Sequence, residues 1–188
     1  DYLQRLRCAS RRMAALIDDM LALSRVATSE LHVSKVNLSA MAGEILETMG
    51  TAEPVRIAET SVMPGLTENA DPHLTRVVLE NLLENAWKFT SKKQKTKIEF
   101  GAMEEDNEIV YYVRDNGAGF DMAFVKKLFG AFQLLHGTEE YPGNGIGLAS
   151  VQRIIRRHGG RTWAEGKPNK GATFYFTLKP KYAKTKQV

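Results

Sequence analysis

The sequence predicts an α+β fold: a two-layer α/β sandwich, a mixed sheet covered by helices, preceded by a long bundle-forming helix. Three observations carry this. Leu6, Ala9, Met13, Leu16, Met20 and Leu23 recur at alternating steps of three and four, which is the seam of a helical bundle. Beyond residue 35, short runs of strand character and helical periodicities follow one another in mixed order without an internal repeat. The chain has 188 residues, 43% of them hydrophobic, enough for one domain with a full core plus an appendage.

Taken in order, residues 1–26 form the first helix, with Ile17 and Leu21 widening its stripe beyond a two-stranded seam. Residues 27–35 are polar and aperiodic and read as a linker. A second unit, 36–178, opens with a strand at 36–38 and a helix from an N-cap at Ser39 to Met49. A strand follows at 55–59. Asp71 caps the next helix and Pro72 takes its first position, with the helix running to Thr90. Strands at 97–103 and 109–114 pair through the acidic turn 104–108. A helix is expected at 122–129, and another from the glycines near 145 to Gly159-Gly160, burying Leu148, Val151 and Ile155. Strands at 161–165 and 173–178 close the unit.

The net charge of +4 suggests a nucleic-acid partner until it is located. Lys179, Lys181, Lys184 and Lys186 supply the whole excess, and residues 1–178 carry 22 bases and 22 acids. The body is therefore not a basic surface, and 179–188 is a basic flexible tail. The single Cys8 excludes an internal disulfide and fits a reducing, cytoplasmic setting. No stretch approaches the roughly 18 apolar residues of a spanning helix, so no membrane contact is expected of this chain.

Three motifs carry chemistry. On the helix that starts at Pro72, Asn81, Glu84, Asn85 and Lys88 share one face at spacings of three and four. A carboxamide oxygen suits Mg²⁺, and a lysine one turn on can meet a phosphate. Asp115-Asn-Gly117-Ala-Gly119 follows a strand, where a carboxylate accepts hydrogen bonds and glycines let the backbone pass close to a flat ring. Such an acid selects adenine, whose exocyclic amine donates, over guanine, whose carbonyl repels it. Gly143-Asn-Gly145-Ile-Gly147-Leu148 opens a helix, where backbone N–H groups bind phosphate. It is neither a P-loop nor G-x-G-x-x-G.

In that order, the three motifs resemble the N, G1 and G2 boxes of the ATP-binding domain of sensor histidine kinases, the GHKL or Bergerat fold. Phe129 and Phe132 resemble its F box and Gly171-Ala-Thr173-Phe174 its last glycine box. Residues 1–26 are similar to the second helix of the family's dimerisation bundle, and LLHGTEEYPGNGIGLA to the phytochrome-like, PAS-linked branch. The resemblance implies ATP with Mg²⁺ as ligands and γ-phosphoryl transfer to a bundle histidine. It also implies a homodimer through the bundle, and a response-regulator receiver domain as partner. By position, it implies that Asn85 holds Mg²⁺ and that Asn81 and Lys88 meet phosphates. Asp115 reads adenine beside Gly117 and Gly119, and Thr173 lies beneath the ring. Phe132 and Leu148 contact the nucleotide, and Gly143, Gly145 and Gly147 hinge the lid.

Two departures qualify the resemblance. None of His32, His73, His136 or His158 is followed by an acid in the family's manner or lies on the first helix, so the acceptor is expected before residue 1 and the chain should not phosphorylate itself. From Gln133 to Ser150 there is no Lys or Arg, and Leu134 stands where many relatives carry arginine. Weaker triphosphate binding or slower transfer is expected, with His136 a partial substitute below neutral pH. Two alternatives stay open: a non-catalytic ATP-binding or dimerisation module, and a GHKL serine kinase or ATPase. Asn81 stands against the ATPase, which needs an acid there as general base. The bundle seam stands against the serine kinase.

Overall fold

The computed structural model describes residues 30–133, 140, 141 and 143–178, together with Gln4 and Arg7. The expected bundle helix 1–26 apart from Gln4 and Arg7, the linker residues 27–29, Leu134, His136, Glu139 and the tail 179–188 lie outside the described residues.

The chain forms β1 (Ser34–Asn37), α1 (Leu38–Ala52), β2 (Ala58–Val62), β3 (Thr67–Ala70), α2 (Pro72–Phe89), β4 (Thr96–Glu105) and β5 (Glu108–Asp115). A 3₁₀ turn at Met122–Lys127, α3 (Gly147–Arg157), β6 (Thr162–Lys167) and β7 (Gly171–Phe176) complete it. The five-stranded sheet has the order β2-β4-β5-β7-β6, with β2 parallel to β4 and the other pairs antiparallel. β1 and β3 form a separate antiparallel ribbon. This is the expected mixed sheet with helices on one face.

Alternation along the strands decides which face is covered. Val113, Phe100, Phe174 and Phe176 point at the helices and join Leu46, Leu79, Leu83, Ile154 and Ile155 in one core. The opposite face carries a smaller cluster, where Trp163 stacks on Tyr175 with centroids 5.2 Å apart and Arg161 lies over Trp163.

Several boundaries differ from the expectation for local reasons. Ser34 and Lys35 belong to β1 and not to a linker, because β1 pairs with β3. The cap of α1 is Asn37, whose side chain accepts from Ala40 N at 3.0 Å. Ser39 instead donates to Met63 O and accepts from Leu66 N, pinning the β2–β3 turn. Asn37→Ala is expected to lower the unfolding free energy by about 1 kcal/mol, measured by denaturant titration. The strand expected at 55–59 starts at Ala58, because Arg56 turns inward to α2 and leaves Val55 92% exposed. β3, with the polar sequence TENA, has no apolar alternation to announce it and exists through its pairing with β1. The segment expected as a helix over 122–129 is a 3₁₀ turn capped by Asp121.

His158 closes α3 as a bridging residue. Its Nε2 accepts from Asp71 N at 3.0 Å, and its Nδ1 lies 2.9 Å from Ile154 O. The Asp71 carboxylate in turn caps α2 through Leu74 N and accepts from His32 N, so one residue ties the segment at His32 to α2 by its side chain and to α3 by its backbone N–H. Burial opposes its charge, yet the backbone donors of Leu74, His32 and His73 hold the Asp71 carboxyl below the usual range.

Candidate functional site

α2 brings the first motif together as its spacing requires. Leu74, Val78 and Leu82 are buried on the core side, while Asn81, Glu84, Asn85 and Lys88 line a cavity of about 530 Å³. Phe89 is half-buried and lines the same cavity. Asn81 Nδ2 donates to Val77 O at 2.8 Å, which leaves its Oδ1 facing the start of α3. A Cβ on Gly147 would run into that oxygen, so the third motif approaches the first only because the residue is glycine.

The Lys88 ammonium lies 4.5 Å from the Phe89 ring centroid and beside Gly143. Burial pulls its pKa down, and the charge of Glu84 works against that. Glu84 is raised, by burial first and by Glu80 second, with Lys88 opposing.

Asp115 ends β5 and is buried at the opposite side of the cavity. Gly117 N donates to its Oδ1 at 2.7 Å. Burial pushes its carboxyl up to about 6, against the backbone donors of Gly117 and Ala172 and the charge of Lys93. Gly117 packs on the Phe89 carbonyl, which also accepts from Ala118 N at 3.0 Å, so the second motif is tied to the end of α2. Gly119, with φ +61°, lines the cavity.

Gly143, Gly145, Gly147 and Leu148 all line the cavity. Gly145 O accepts from Phe132 N at 2.9 Å, which joins the two ends of the segment between them. Phe132 itself does not line the cavity. Its φ of +62° turns the side chain outward, 52% exposed, and Gln133 takes the lining position. Thr173 is also elsewhere. It faces the opposite side of the sheet, where Arg114 Nε donates to its hydroxyl, and Ala172 and Phe174 are the β7 residues that reach the cavity. One residue of strand parity separates the two outcomes.

The apolar walls were not legible as site residues. Phe120, Leu128 and Phe174 enter from three separate segments, and buried Tyr141 meets Phe89 with ring centroids 5.1 Å apart. The one available signal was the position of Tyr141 two residues before Gly143. Beyond these rings lies a second recess that includes Lys92 and Lys93, where Lys92 pairs with Glu140 at 2.7 Å and Lys93 donates to Asn169 O.

Among the described residues, no group of three or more His, Cys, Asp or Glu could hold a metal ion. The oxygen donors on the α2 face are the amides of Asn81 and Asn85 with the carboxylate of Glu84. Such a set fits a hard cation that arrives with phosphate oxygens and does not form a protein cage.

This geometry is that of a nucleotide-binding domain, and comparison with known proteins gives its family. A model described as histidine kinase-, DNA gyrase B-, and HSP90-like ATPase matches residues 70–182. Cyanobacterial phytochrome A from a Nostoc species is 38% identical over 176 residues, covering 88% of this chain and 22% of the phytochrome. The circadian input-output histidine kinase CikA from Synechococcus elongatus is 30% identical over 185 residues, covering 93% of this chain and 24% of CikA. Full-length ShkA, crystallised with AMPPNP, matches with a TM-score of 0.73 and 26% identity over 94% of this chain and 38% of that one. The chain belongs to this ATPase family, in the branch of the sensor histidine kinase ATP-binding domains. It spans less than a quarter of the length of the two curated relatives named.

Proposed function

We propose that this chain binds ATP with Mg²⁺ and serves as the catalytic part of a dimeric sensor kinase, passing the γ-phosphoryl group to a histidine on a bundle helix and onward to a response-regulator aspartate. The observation that carries the reading is the convergence of three separate motifs, from α2, from the end of β5 and from the start of α3, on one cavity. Asp115 accepts from the adenine amine. Asn85 offers its carboxamide oxygen to Mg²⁺, and Asn81 and Lys88 meet the phosphates. When bound, Mg²⁺ supplies charge neutralisation. In the transfer, the bond from the γ-phosphorus to the bridging oxygen breaks, a bond to the histidine nitrogen forms, and ADP leaves. That chemistry needs positioning and charge neutralisation more than covalent help, and α2 with α3 supplies both.

Neither His32, His73 nor His158 lines the cavity, and His158 is engaged as the bridge between α3 and α2. With no acid following His136 in the family's manner, the chain alone should bind ATP without labelling itself. The test measures ATP and GTP binding with and without Mg²⁺, then mixes the loaded chain with a separately made acceptor helix. ATP preferred over GTP, tighter binding with Mg²⁺, and label on the helix histidine are expected. Equal binding of the two nucleotides refutes the reading. The lid without Lys or Arg from Gln133 to Ser150 supports a second reading, a non-catalytic nucleotide-binding module. Bound ATP with no label on the helix would favour it.

A further inference from the structure

The last carbonyls of α2 decide where Lys88 and Phe89 sit, because a helix end leaves them without partners inside the helix. Each has a donor here. Ala86 O accepts from Thr90 N and from Thr90 Oγ1, Lys88 O from Ser91 N, and Phe89 O from Ala118 N. Trp87 O, the oxygen of the peptide that joins Trp87 to Lys88, accepts from Arg56 at 2.5 Å and from Thr90 Oγ1 at 3.0 Å.

Arg56 reaches this point from the loop between α1 and β2, and its side chain is only 12% exposed. Its Nε donates to Thr96 Oγ1 at 3.0 Å, and the nitrogen that holds Trp87 O also donates to Thr90 Oγ1 at 2.8 Å. Its guanidinium lies 4.4 Å from the Trp87 ring centroid. Glu53 closes the ring of contacts, pairing with Arg56 at 3.4 Å and accepting from Trp87 Nε1 at 2.9 Å. Thr90 and Thr96 are fully buried. A fixed cation at a helix C-terminus is favourable, and only a planar fork can span a ring face, two hydroxyls and a carbonyl at once.

We infer that Arg56 is a positioning residue that grips the Trp87–Lys88 peptide and so aims the Lys88 ammonium into the cavity. Arg56 does not itself line the cavity. Its action falls first on the Trp87–Lys88 peptide and so on Asn85 and Lys88, whereas Asp115 accepts its own bonds from Gly117 and Ala172 and its loop meets the end of α2 through the Phe89 carbonyl. The inference rests on the ATP–Mg²⁺ reading above.

The test compares affinities of the full chain for ATP–Mg²⁺ and for adenosine, which lacks the phosphates. Arg56→Ala is expected to weaken ATP–Mg²⁺ about tenfold and adenosine by no more than about twofold, as loss of an outer partner misplaces a ligand-binding group. Arg56→Lys keeps the charge without the fork and is expected to restore less than about threefold of that loss. Thr96→Val, a milder change that removes the anchor of Nε, should shift the same ratio about threefold. Equal losses for the two ligands, or none, in Arg56→Ala would make Arg56 a structural clamp only and overturn the inference. Should that variant fail to fold, an unchanged ratio in Thr96→Val overturns it. An unsubstituted chain that binds no ATP refutes the functional reading first, before any variant is made.

Discussion

Asp115→Asn is expected to weaken ATP binding on the order of 100-fold, the cost of leaving one donor without an acceptor in a buried site, and to remove the preference for ATP over GTP. Two backbone donors, from Gly117 and Ala172, already converge on the carboxylate. On the proposed reading, the adenine amine would make a third donor. A carboxylate has lone pairs for all three, whereas an asparagine turns an N–H₂ toward one of them. Competition binding with ATP and GTP checks the outcome, and a variant that keeps the wild-type preference would remove adenine reading from Asp115.

The same residue gives a pH dependence. Burial raises the folded carboxyl from 3.8 to about 6, so the folded state without ligand favours the neutral form. The stability this contributes is complete below the unfolded value and is lost as pH rises through about 6. Ligand binding runs the other way, because the adenine amine is best held by the ionised form. ATP affinity should therefore rise as pH is raised through about 6, and this rise should be absent in Asp115→Asn. Isothermal titration from pH 5 to pH 8, about two units on the alkaline side of the shifted value, resolves it.

Lys88→Met is expected to lower phosphoryl transfer to a supplied acceptor helix by roughly 100- to 1000-fold, the range found when one charge-stabilising donor is removed from a transition state. Among the described residues, Lys88 is the lysine that lines this cavity, while Lys92 is paired with Glu140 and Lys93 with the Asn169 carbonyl. The lid sequence supplies no replacement between Gln133 and Ser150. Adenosine affinity should stay within about twofold, because Asp115 is held by its own backbone donors and not by Lys88. Methionine keeps most of the unbranched reach of the side chain and removes the charge. Transfer within a few-fold of the unsubstituted chain would show that another cation, from a partner subunit, does the neutralising.

Comparing these residues shows what kind of information a sequence holds. Asp71 and Pro72 set the start of α2 to the residue, because capping and a fixed proline φ act within one turn. Asn81, Asn85 and Lys88 share a face because helical spacing is a local property. Asp115 was legible for a similar reason: it ends a strand and is followed by glycines. Phe132 and Thr173 were assigned to the cavity by position in a motif, yet a left-handed backbone at the first and strand parity at the second turn them away. Arg56 had no local signature at all. Its role depends on a loop folding inward to meet residues 31 and 40 positions later.

By itself, then, the sequence determined the helix that presents the amides and the lysine, the acid at the strand end, and the mixed α+β class. Each follows from forces that act over a few residues. Tertiary structure alone decided that the motifs share one cavity, that its walls are Phe89, Phe120, Tyr141 and Phe174, and that Arg56 grips the peptide before Lys88. Those facts depend on long-range packing and pairing, in which a polar strand such as TENA exists because of its neighbour and a side chain's direction is fixed by the register of a strand laid down elsewhere in the chain.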